Sequence, residues 1–137
     1  MTPVKRIDHL AVVVDDIEAA LAFWRDALGL EVDRVQEMPD QQATVAFLPV
    51  SDSDIELVRP TTEDSGIARF LRKRGPGLHH ICLEVEDLDS LLARLRGMGV
   101  HLINPEPVAG TGGKRIAFIH PEAAFGVLVE LSESRRP

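Results

Sequence analysis

Alternation of apolar and polar residues predicts a β-strand over residues 5–14, a segment rich in β-branched side chains. The spacing of apolar residues then changes to that of an amphipathic helix. We predict that Asp15 caps this helix, that Glu18 completes a capping box, and that Gly29 ends it. The predicted buried stripe of the helix consists of Ile17, Ala20, Leu21, Trp24 and Leu28.

Three further strands are predicted at about 30–37, 43–50 and 54–59, so the first part of the chain reads β-α-β-β-β. The second part repeats this order. Residues 7–28 match residues 78–99 at an offset of 71, and the matched pairs include His9 with His80, Val14 with Val85, Asp16 with Asp87, and Leu21 with Leu92.

Further matches extend the repeat to the later strands. Residues 45–48 match residues 116–119 at the same offset of 71, and Glu56 matches Glu130 at an offset of 74. In the second module Asp87 is the predicted cap and Gly99 the predicted stop, and strands are predicted near 101–104, 114–120 and 126–132. The predicted helical stripe of this module is Leu88, Leu91, Leu92 and Leu95.

These elements predict an α+β fold in a single domain, residues 1–137. The first module covers about 5–60 and the second about 76–133. The connection, about 61–75, holds a short helix at about 64–74 with Ile67, Phe70 and Leu71 on its apolar side. The two modules are expected to form one curved sheet, and residues 104–113, with two prolines and three glycines, are expected to form a shaped loop.

The repeat pairs two residue types that bind metals, His9 with His80 and Glu56 with Glu130. Duplicated modules normally pack around a pseudo-twofold axis, which would bring the four side chains to one point. Two imidazoles and two carboxylates suit a divalent transition metal. Taken singly, such a histidine is more often a surface or core residue and such a glutamate is more often solvated. The matched positions are what favour the metal site.

The remaining histidines and the aromatic residues are given no functional role. His79 faces away from the predicted site and is expected to be structural. His101 and His120 have no partner of their own type in the repeat and are expected to be surface or loop residues. Packing in the core or against the helix is the expectation for Trp24, Phe47 and Phe118.

Composition narrows the class of protein. The chain has 22 acidic and 15 basic residues, a net charge of −7, so a nucleic-acid partner is not expected. It contains no apolar run as long as a membrane span and no signal-peptide pattern at its start, so no membrane partner is expected either. The single cysteine, Cys82, cannot form an internal disulfide. We therefore expect a cytoplasmic protein.

The arrangement of modules and candidate ligands resembles the vicinal oxygen chelate superfamily, which has the glyoxalase-like fold. Within that superfamily the chain looks like the methylmalonyl-CoA epimerase family over about residues 5–132. The segments that carry the likeness are IDHLAVVV, IELVRPT, GPGLHHICLEV, GTGGKRIAFIHP and GVLVEL.

The resemblance implies a metal site of His9, Glu56, His80 and Glu130, where some members have Gln in place of Glu56. It implies cobalt as the metal, with manganese, nickel or zinc as alternatives, a homodimer, and a role in propionate metabolism. A second carboxylate base of some bacterial members falls at Val45 here, so the family's assignment of two bases does not transfer directly.

The implied reaction is removal of the α-proton of methylmalonyl-CoA and its return to the other face, assisted by the metal. The pseudo-twofold suggests Glu56 and Glu130 as the two bases. Lys114 could bind the substrate carboxylate or a CoA phosphate, although a solvated lysine is an equal expectation. Gln41 could line the entrance to the pocket.

Three other functions stay open at this point. Lactoylglutathione lyase (glyoxalase I) has a similar ligand set and also moves a proton. An extradiol dioxygenase is less favoured because its iron is typically held by two histidines and one carboxylate. A binding protein of the same fold without catalytic activity is the alternative from another class, although such a protein does not need two carboxylates on a metal.

Overall fold

The computed structural model describes residues 3–134. It divides into two compact units, residues 9–79 and residues 3–8 together with 80–134. The boundary between them falls within the first strand, β1 (Val4–Val13), so that each unit contains about half of that strand. The single-domain organisation predicted from the sequence stays a prediction.

The unit of residues 9–79 contains a four-stranded sheet in the order β2-β3-β4-β1. Strand β1 is parallel to β4, whereas β3 is antiparallel to both β2 and β4. The elements that follow β1 are α1 (Ile17–Leu21), a π-helical turn (Ala22–Ala27), β2 (Arg34–Met38), β3 (Ala43–Val50), β4 (Ser53–Pro60) and α2 (Gly66–Arg74).

The other unit repeats this connectivity. Its strands run in the order β5-β8-β7-β6, with β5 parallel to β8, and β7 antiparallel to both β8 and β6. The elements are β5 (Gly77–Val85), α3 (Leu88–Gly97), β6 (Val108–Ala109), β7 (Arg115–Ile119) and β8 (Leu128–Glu133). The predicted α+β class with two βαβββ modules is confirmed. None of the helices among residues 3–134 is long and apolar enough to cross a membrane.

Each unit has a core between its sheet and its first helix. In the unit of residues 9–79, Leu21 packs with Leu48 and Leu57. In the other unit, Leu88 and Leu92 pack with Leu131. A second cluster lies in the unit of residues 9–79, where Ile67 of α2 packs against Ala11, Ala43, Val45 and Val58. Ile67, on the predicted apolar side of the connecting helix, therefore packs against the sheet as expected.

The first helix differs from its prediction at its N-cap and in its last turns, whereas the predicted stop at Gly29 is confirmed, because Gly29 follows the C-cap Leu28 with a φ of 92°. Asp16, not Asp15, is the N-cap, because its backbone is extended and its carboxylate accepts a hydrogen bond from the N–H of Ala19. Glu18 therefore does not stand at the capping-box position. After Leu21 the backbone widens into π-helical turns, with the N–H of Leu28 donating to the carbonyl of Phe23. The wider turn moves Leu28 out of the apolar stripe, and this residue is 55% exposed.

Two predicted strands are also wrong in extent. Residues 30–33 precede β2, which begins at Arg34; Leu30 and Val32 pack against the core, and the N–H of Asp33 donates to the carbonyl of Phe47 on β3 at 2.8 Å. At 101–104 only Leu102 forms a bridge, to Ile119, because prolines follow directly in the chain. The loop predicted at 104–113 contains the short strand β6 and a 3₁₀ turn (Thr111–Gly113), so it is more regular than expected.

The hairpins that join the last two strands of each module differ in length. Only Ser51 and Asp52 lie between β3 and β4, whereas residues 120–127 lie between β7 and β8. The longer connection contains a 3₁₀ turn (Pro121–Ala124) and Phe125 in the left-handed backbone region. Phe47 pairs with Glu56 nine positions later, whereas Phe118 pairs with Glu130 twelve positions later, so the second hairpin holds three extra residues between equivalent pairs. These three residues account for the change of offset from 71 to 74 in the sequence repeat.

Replacing Asp16 by Ala should lower the free energy of unfolding by about 1 kcal/mol, because the N–H of Ala19 loses its acceptor. Asp15→Ala is the matched control, and its effect should stay within about 0.5 kcal/mol. Urea unfolding followed by circular dichroism measures both variants. Equal destabilisation by the two changes would contradict the assignment of the cap to Asp16.

Candidate active site

In the unit of residues 9–79, His9 and Glu56 lie side by side on parallel strands. Nδ1 of His9 is 3.3 Å from Oε2 of Glu56, and the two side chains are 12% and 16% exposed. The register places Ala11 opposite Glu56. Because side chains two residues apart on a strand share a face, His9 points to the same side as Ala11 and meets Glu56 diagonally.

The other unit contains the equivalent pair. Nε2 of His80 is 3.4 Å from Oε1 of Glu130, and these side chains are 17% and 14% exposed. Here Cys82 stands opposite Glu130, again two residues after the histidine. The same register in both units confirms that Glu56 and Glu130 are equivalent positions, despite the shift of three residues in the sequence repeat.

Neighbouring residues in β4 and β8 explain the orientation of the two glutamates. Leu57 and Leu131 follow them and are buried in the helix-facing cores. Alternation along a strand therefore turns each carboxylate to the opposite face. Each pair combines an imidazole and a carboxylate that are mostly shielded from water, and both groups are ligands that divalent transition metals accept. The two pairs are candidate metal-ligand groups.

Comparison with known proteins places the chain in a family. Residues 8–118 match the model of the glyoxalase/bleomycin resistance protein/dioxygenase superfamily. The ethylmalonyl-CoA/methylmalonyl-CoA epimerase of Cereibacter sphaeroides is 43% identical over 130 residues, covering 93% of this chain and 97% of that protein. The chain belongs to the methylmalonyl-CoA epimerase family.

Solved structures of this family have the same fold. The methylmalonyl-CoA epimerase of Mycobacterium tuberculosis is 39% identical, with a TM-score of 0.85, covering 99% of this chain and 92% of that one. Another methylmalonyl-CoA epimerase, in complex with methylmalonyl-CoA and ammonium, is 37% identical, with a TM-score of 0.81, covering 96% of this chain and 95% of that one.

The likeness to lactoylglutathione lyases is weaker. The enzyme of Arabidopsis thaliana is 26% identical over 116 residues, and the match covers 40% of that protein. The epimerase family is therefore favoured over glyoxalase I, which the ligand types alone did not separate.

At Val45, where some bacterial family members carry a second carboxylate, the site has no acid. Val45 is 1% exposed and packs with Ala11, Ala43 and Val58 in an apolar cluster. A carboxylate introduced there would be buried among aliphatic groups, which is costly without a partner.

The two predicted substrate-binding residues lie in different units. In the unit that contains β7, Nζ of Lys114 is 3.8 Å from Oδ1 of Asp8, and the lysine side chain is partly exposed. Lys114 follows a turn in which Gly112 and Gly113 have positive φ, a conformation that glycine adopts without strain. Gln41 lies in the other unit, exposed, in the 3₁₀ turn between β2 and β3.

The histidines outside the pairs have structural contacts that the sequence did not reveal. His79 packs edge-on against Phe70 of α2 with ring centroids 5.0 Å apart. Burial lowers the pKa of His79, and the nearby Arg74 acts in the same direction. His101 and His120 stack on each other with centroids 4.1 Å apart. No repeat signal links these two residues, because only the bridge between Leu102 and Ile119 brings them together.

A network of charges surrounds Glu84 on β5. The carboxylate accepts hydrogen bonds from Oγ of Ser134 at 2.7 Å and from Nε of Arg6 at 3.1 Å. The Arg6 guanidinium also donates to Asp8 at 2.8 Å. The Ser134 hydrogen bond, together with the positive charge of Arg6, holds the pKa of Glu84 below its ordinary value.

This lowered pKa predicts a pH dependence of stability. The ionised Glu84 stabilises the folded state at every pH above the ordinary carboxyl pKa, and this stabilisation is lost as the pH falls through the lowered folded value. The difference in unfolding free energy between wild type and Glu84→Gln should therefore shrink as the pH falls below about 4.5. Urea titrations between pH 3 and 7, with EDTA present, measure it.

The matched control for that experiment is Glu86→Gln. The Glu86 carboxylate is 60% exposed and lies 3.9 Å from Lys5, so its ion pair should contribute little to stability. The role of the Glu84 network would be contradicted if the difference in unfolding free energy between wild type and Glu84→Gln did not change with pH. It would also be contradicted if Glu86→Gln gave the same pH-dependent difference.

Proposed function

We propose that this chain interconverts (R)- and (S)-methylmalonyl-CoA by removing the α-proton of the acyl group and returning it to the opposite face. The observation that carries the proposal is the His–Glu pair repeated at the same strand register in both units. The family supports the substrate, because its members in the comparisons are named for this reaction and one was solved with methylmalonyl-CoA.

The two pairs are proposed to supply four ligands to one divalent cation: His9, Glu56, His80 and Glu130. Their chemistry fits such an ion, since two neutral imidazoles and two carboxylates carry a charge of −2 in a largely water-shielded setting. Cobalt is the metal proposed first, with manganese, nickel or zinc as alternatives. When bound, the metal would act as a Lewis acid on the thioester oxygen as negative charge develops there.

The glutamates are proposed to move the proton. A planar intermediate can be reprotonated on either face, so epimerisation needs a proton donor on each side. Glu130 and Glu56 meet that need because they occupy equivalent positions in the two modules. Each histidine is 3.3–3.4 Å from its glutamate and would help to fix the position of the carboxylate in the site.

Lys114 is proposed to bind the free carboxylate of the substrate or a phosphate of CoA, exchanging its contact with Asp8 for that anion. Gln41 is proposed to line the entrance of the substrate pocket, for which its exposed turn is suited. We further propose that the protein is a cytoplasmic homodimer acting in propionate metabolism, as the family resemblance implies.

Solvent exchange at the α-carbon tests the activity. Incubation of the cobalt-loaded protein with methylmalonyl-CoA in D₂O should introduce deuterium at the α-carbon and equalise the two epimers. Stripping the protein with EDTA should abolish both effects, and added cobalt should restore them. NMR follows the label and chiral analysis follows the epimers. Absence of exchange, combined with turnover of the glutathione hemithioacetal of methylglyoxal, would favour glyoxalase I instead.

Separate replacement of the two glutamates tests their division of labour. Glu130→Gln keeps an oxygen that can bind metal but cannot carry a proton, so the epimerisation rate should fall by at least about 100-fold. Exchange with solvent should persist from one enantiomer only, through Glu56. Glu56→Gln should show the mirror pattern: it should lose exchange from that enantiomer and keep exchange from the other.

Glu37→Gln, at an exposed position on β2, is the matched control and should leave the rate unchanged. The metal content of each variant is measured as well. A variant that loses its metal has lost a ligand, whereas a variant that keeps its metal but not its activity has lost a base. If Glu56→Gln epimerises at the wild-type rate while Glu130→Gln is inactive, Glu56 is a ligand only, and another group serves the second face.

A further inference from the structure

A second cluster of metal-binding side chains lies on the surface of the unit that contains β7, and it consists of His101, His120 and Glu122. One ring nitrogen from each histidine and one carboxylate oxygen of Glu122 lie within 4.8 Å of one another. None of these residues belongs to the His–Glu pairs described above. The cluster therefore needs an explanation of its own.

The backbone sets the position of the two rings. The antiparallel bridge between Leu102 and Ile119 places their outer neighbours, His101 and His120, opposite each other, and the N–H of His120 donates to the carbonyl of His101 at 3.0 Å. The rings stack with an angle of 3° between their planes. Both histidines are thus held in place by main-chain contacts, not only by each other.

Glu122 is brought to the rings by the long connection between β7 and β8. His120 and Glu122 stand at the start of its 3₁₀ turn, where Oε2 of Glu122 lies 3.4 Å from Nδ1 of His101. The equivalent hairpin of the first module is only two residues long and has no such turn. The cluster is therefore a feature of the second module alone.

We propose that His101, His120 and Glu122 bind a zinc ion, with water completing the coordination. Two imidazoles and a carboxylate are the donors that zinc combines in open sites, and imidazole disfavours magnesium and calcium. Zinc–ligand distances of about 2.1 Å place tetrahedral donors roughly 3.4 Å apart. Each imidazole lone pair lies in the plane of its ring, so the parallel stack does not direct both rings at one point, and zinc binding requires the ring of His101 to turn out of the stack. The side chains of His101 and Glu122 are 56% and 76% exposed, which leaves them room for that rotation.

One hydrogen bond must be exchanged when the ion binds. The N–H of Glu122 donates to Nδ1 of His120 at 3.0 Å, so the single proton of the neutral ring is on Nε2. A histidine that binds zinc through one nitrogen keeps its proton on the other, so binding at either nitrogen releases the Glu122 N–H to water. This exchange makes the site weaker than one with a preformed donor set.

Calorimetric titration of the metal-stripped full chain with zinc tests the proposal. His101→Gln should bind one zinc ion fewer per chain than wild type, and Glu122→Gln should bind that ion at least about 10-fold more weakly. Glu106→Gln, in the segment that follows His101, is the matched control and should retain the wild-type stoichiometry. The comparison is between variants, so it does not depend on how many ions the four paired residues bind.

Two further measurements keep the result interpretable. His101→Gln should retain the epimerase rate of the cobalt-loaded protein and its unfolding midpoint without zinc, which shows that the fold and the other site are intact. In wild type, zinc should shift the ring NMR signals of His101 and His120. Equal zinc stoichiometry in wild type and His101→Gln, an equal loss in Glu106→Gln, or unchanged ring signals would overturn the proposal.

Discussion

Parallel pairing between the first and last strand of each module is the constraint on which the site depends. It places a glutamate opposite the residue two positions after a histidine, at Ala11 in one module and Cys82 in the other. A slip of one residue would turn the carboxylate into the helix-facing core and bring a leucine to the opposite face. Burial of Leu57 and Leu131 therefore fixes the strand register, and the register fixes the position of each glutamate beside its histidine.

Environment as well as position distinguishes these carboxylates from the many others of an acidic chain. Glu56 and Glu130 each have a histidine within 3.4 Å and are mostly shielded from water. Glu84, also shielded, is held by Arg6 and Ser134. A histidine can be neutral and can exchange its contact with the glutamate for one with a cation, whereas the guanidinium of Arg6 stays charged. The His–Glu pairs are thus suited to exchange their contact for a bound cation, whereas the contacts of Glu84 with Arg6 and Ser134 are suited to stabilise the fold.

Of the two repeated helices, α3 agrees better with its prediction than α1 does. The cap at Asp87, the stripe from Leu88 to Leu95 and the stop at Gly99 were all confirmed, because a regular α-helix preserves the spacing on which the prediction depends. In α1 the π-helical turn breaks that spacing, which is why Leu28 was misplaced. The repeat matches Asp16 with Asp87, the N-cap of α3, and so indicates the correct cap, whereas the capping-box spacing to Glu18 indicates Asp15.

The repeat predicts that His9 is equivalent to His80 and Glu56 to Glu130, and the shared register confirms this equivalence. That these residues bind a metal stays a prediction for the candidate site. Its assembly from both modules stays a prediction. The stacked histidines were not predictable, since His101 and His120 are linked through a single β-bridge in a segment where a full strand was expected. Local pattern analysis detects helices and ladders several residues long, and a one-residue bridge leaves no periodic signal.

The unequal hairpins show how two copies of one ancestral unit can diverge. The connection lengthens from residues 51–52 to residues 120–127, and the ladder of β7 and β8 ends two pairs earlier than that of β3 and β4, but the pairs on both sides of the glutamate keep the same register. Lengthening a loop from two to eight residues costs only about 1 kcal/mol of closure entropy. After duplication of the module, the hairpin could therefore accept insertions while the paired strands kept their chemistry. The lengthened connection brings His120 and Glu122 to the surface, while the His–Glu pairs have the same register in both modules.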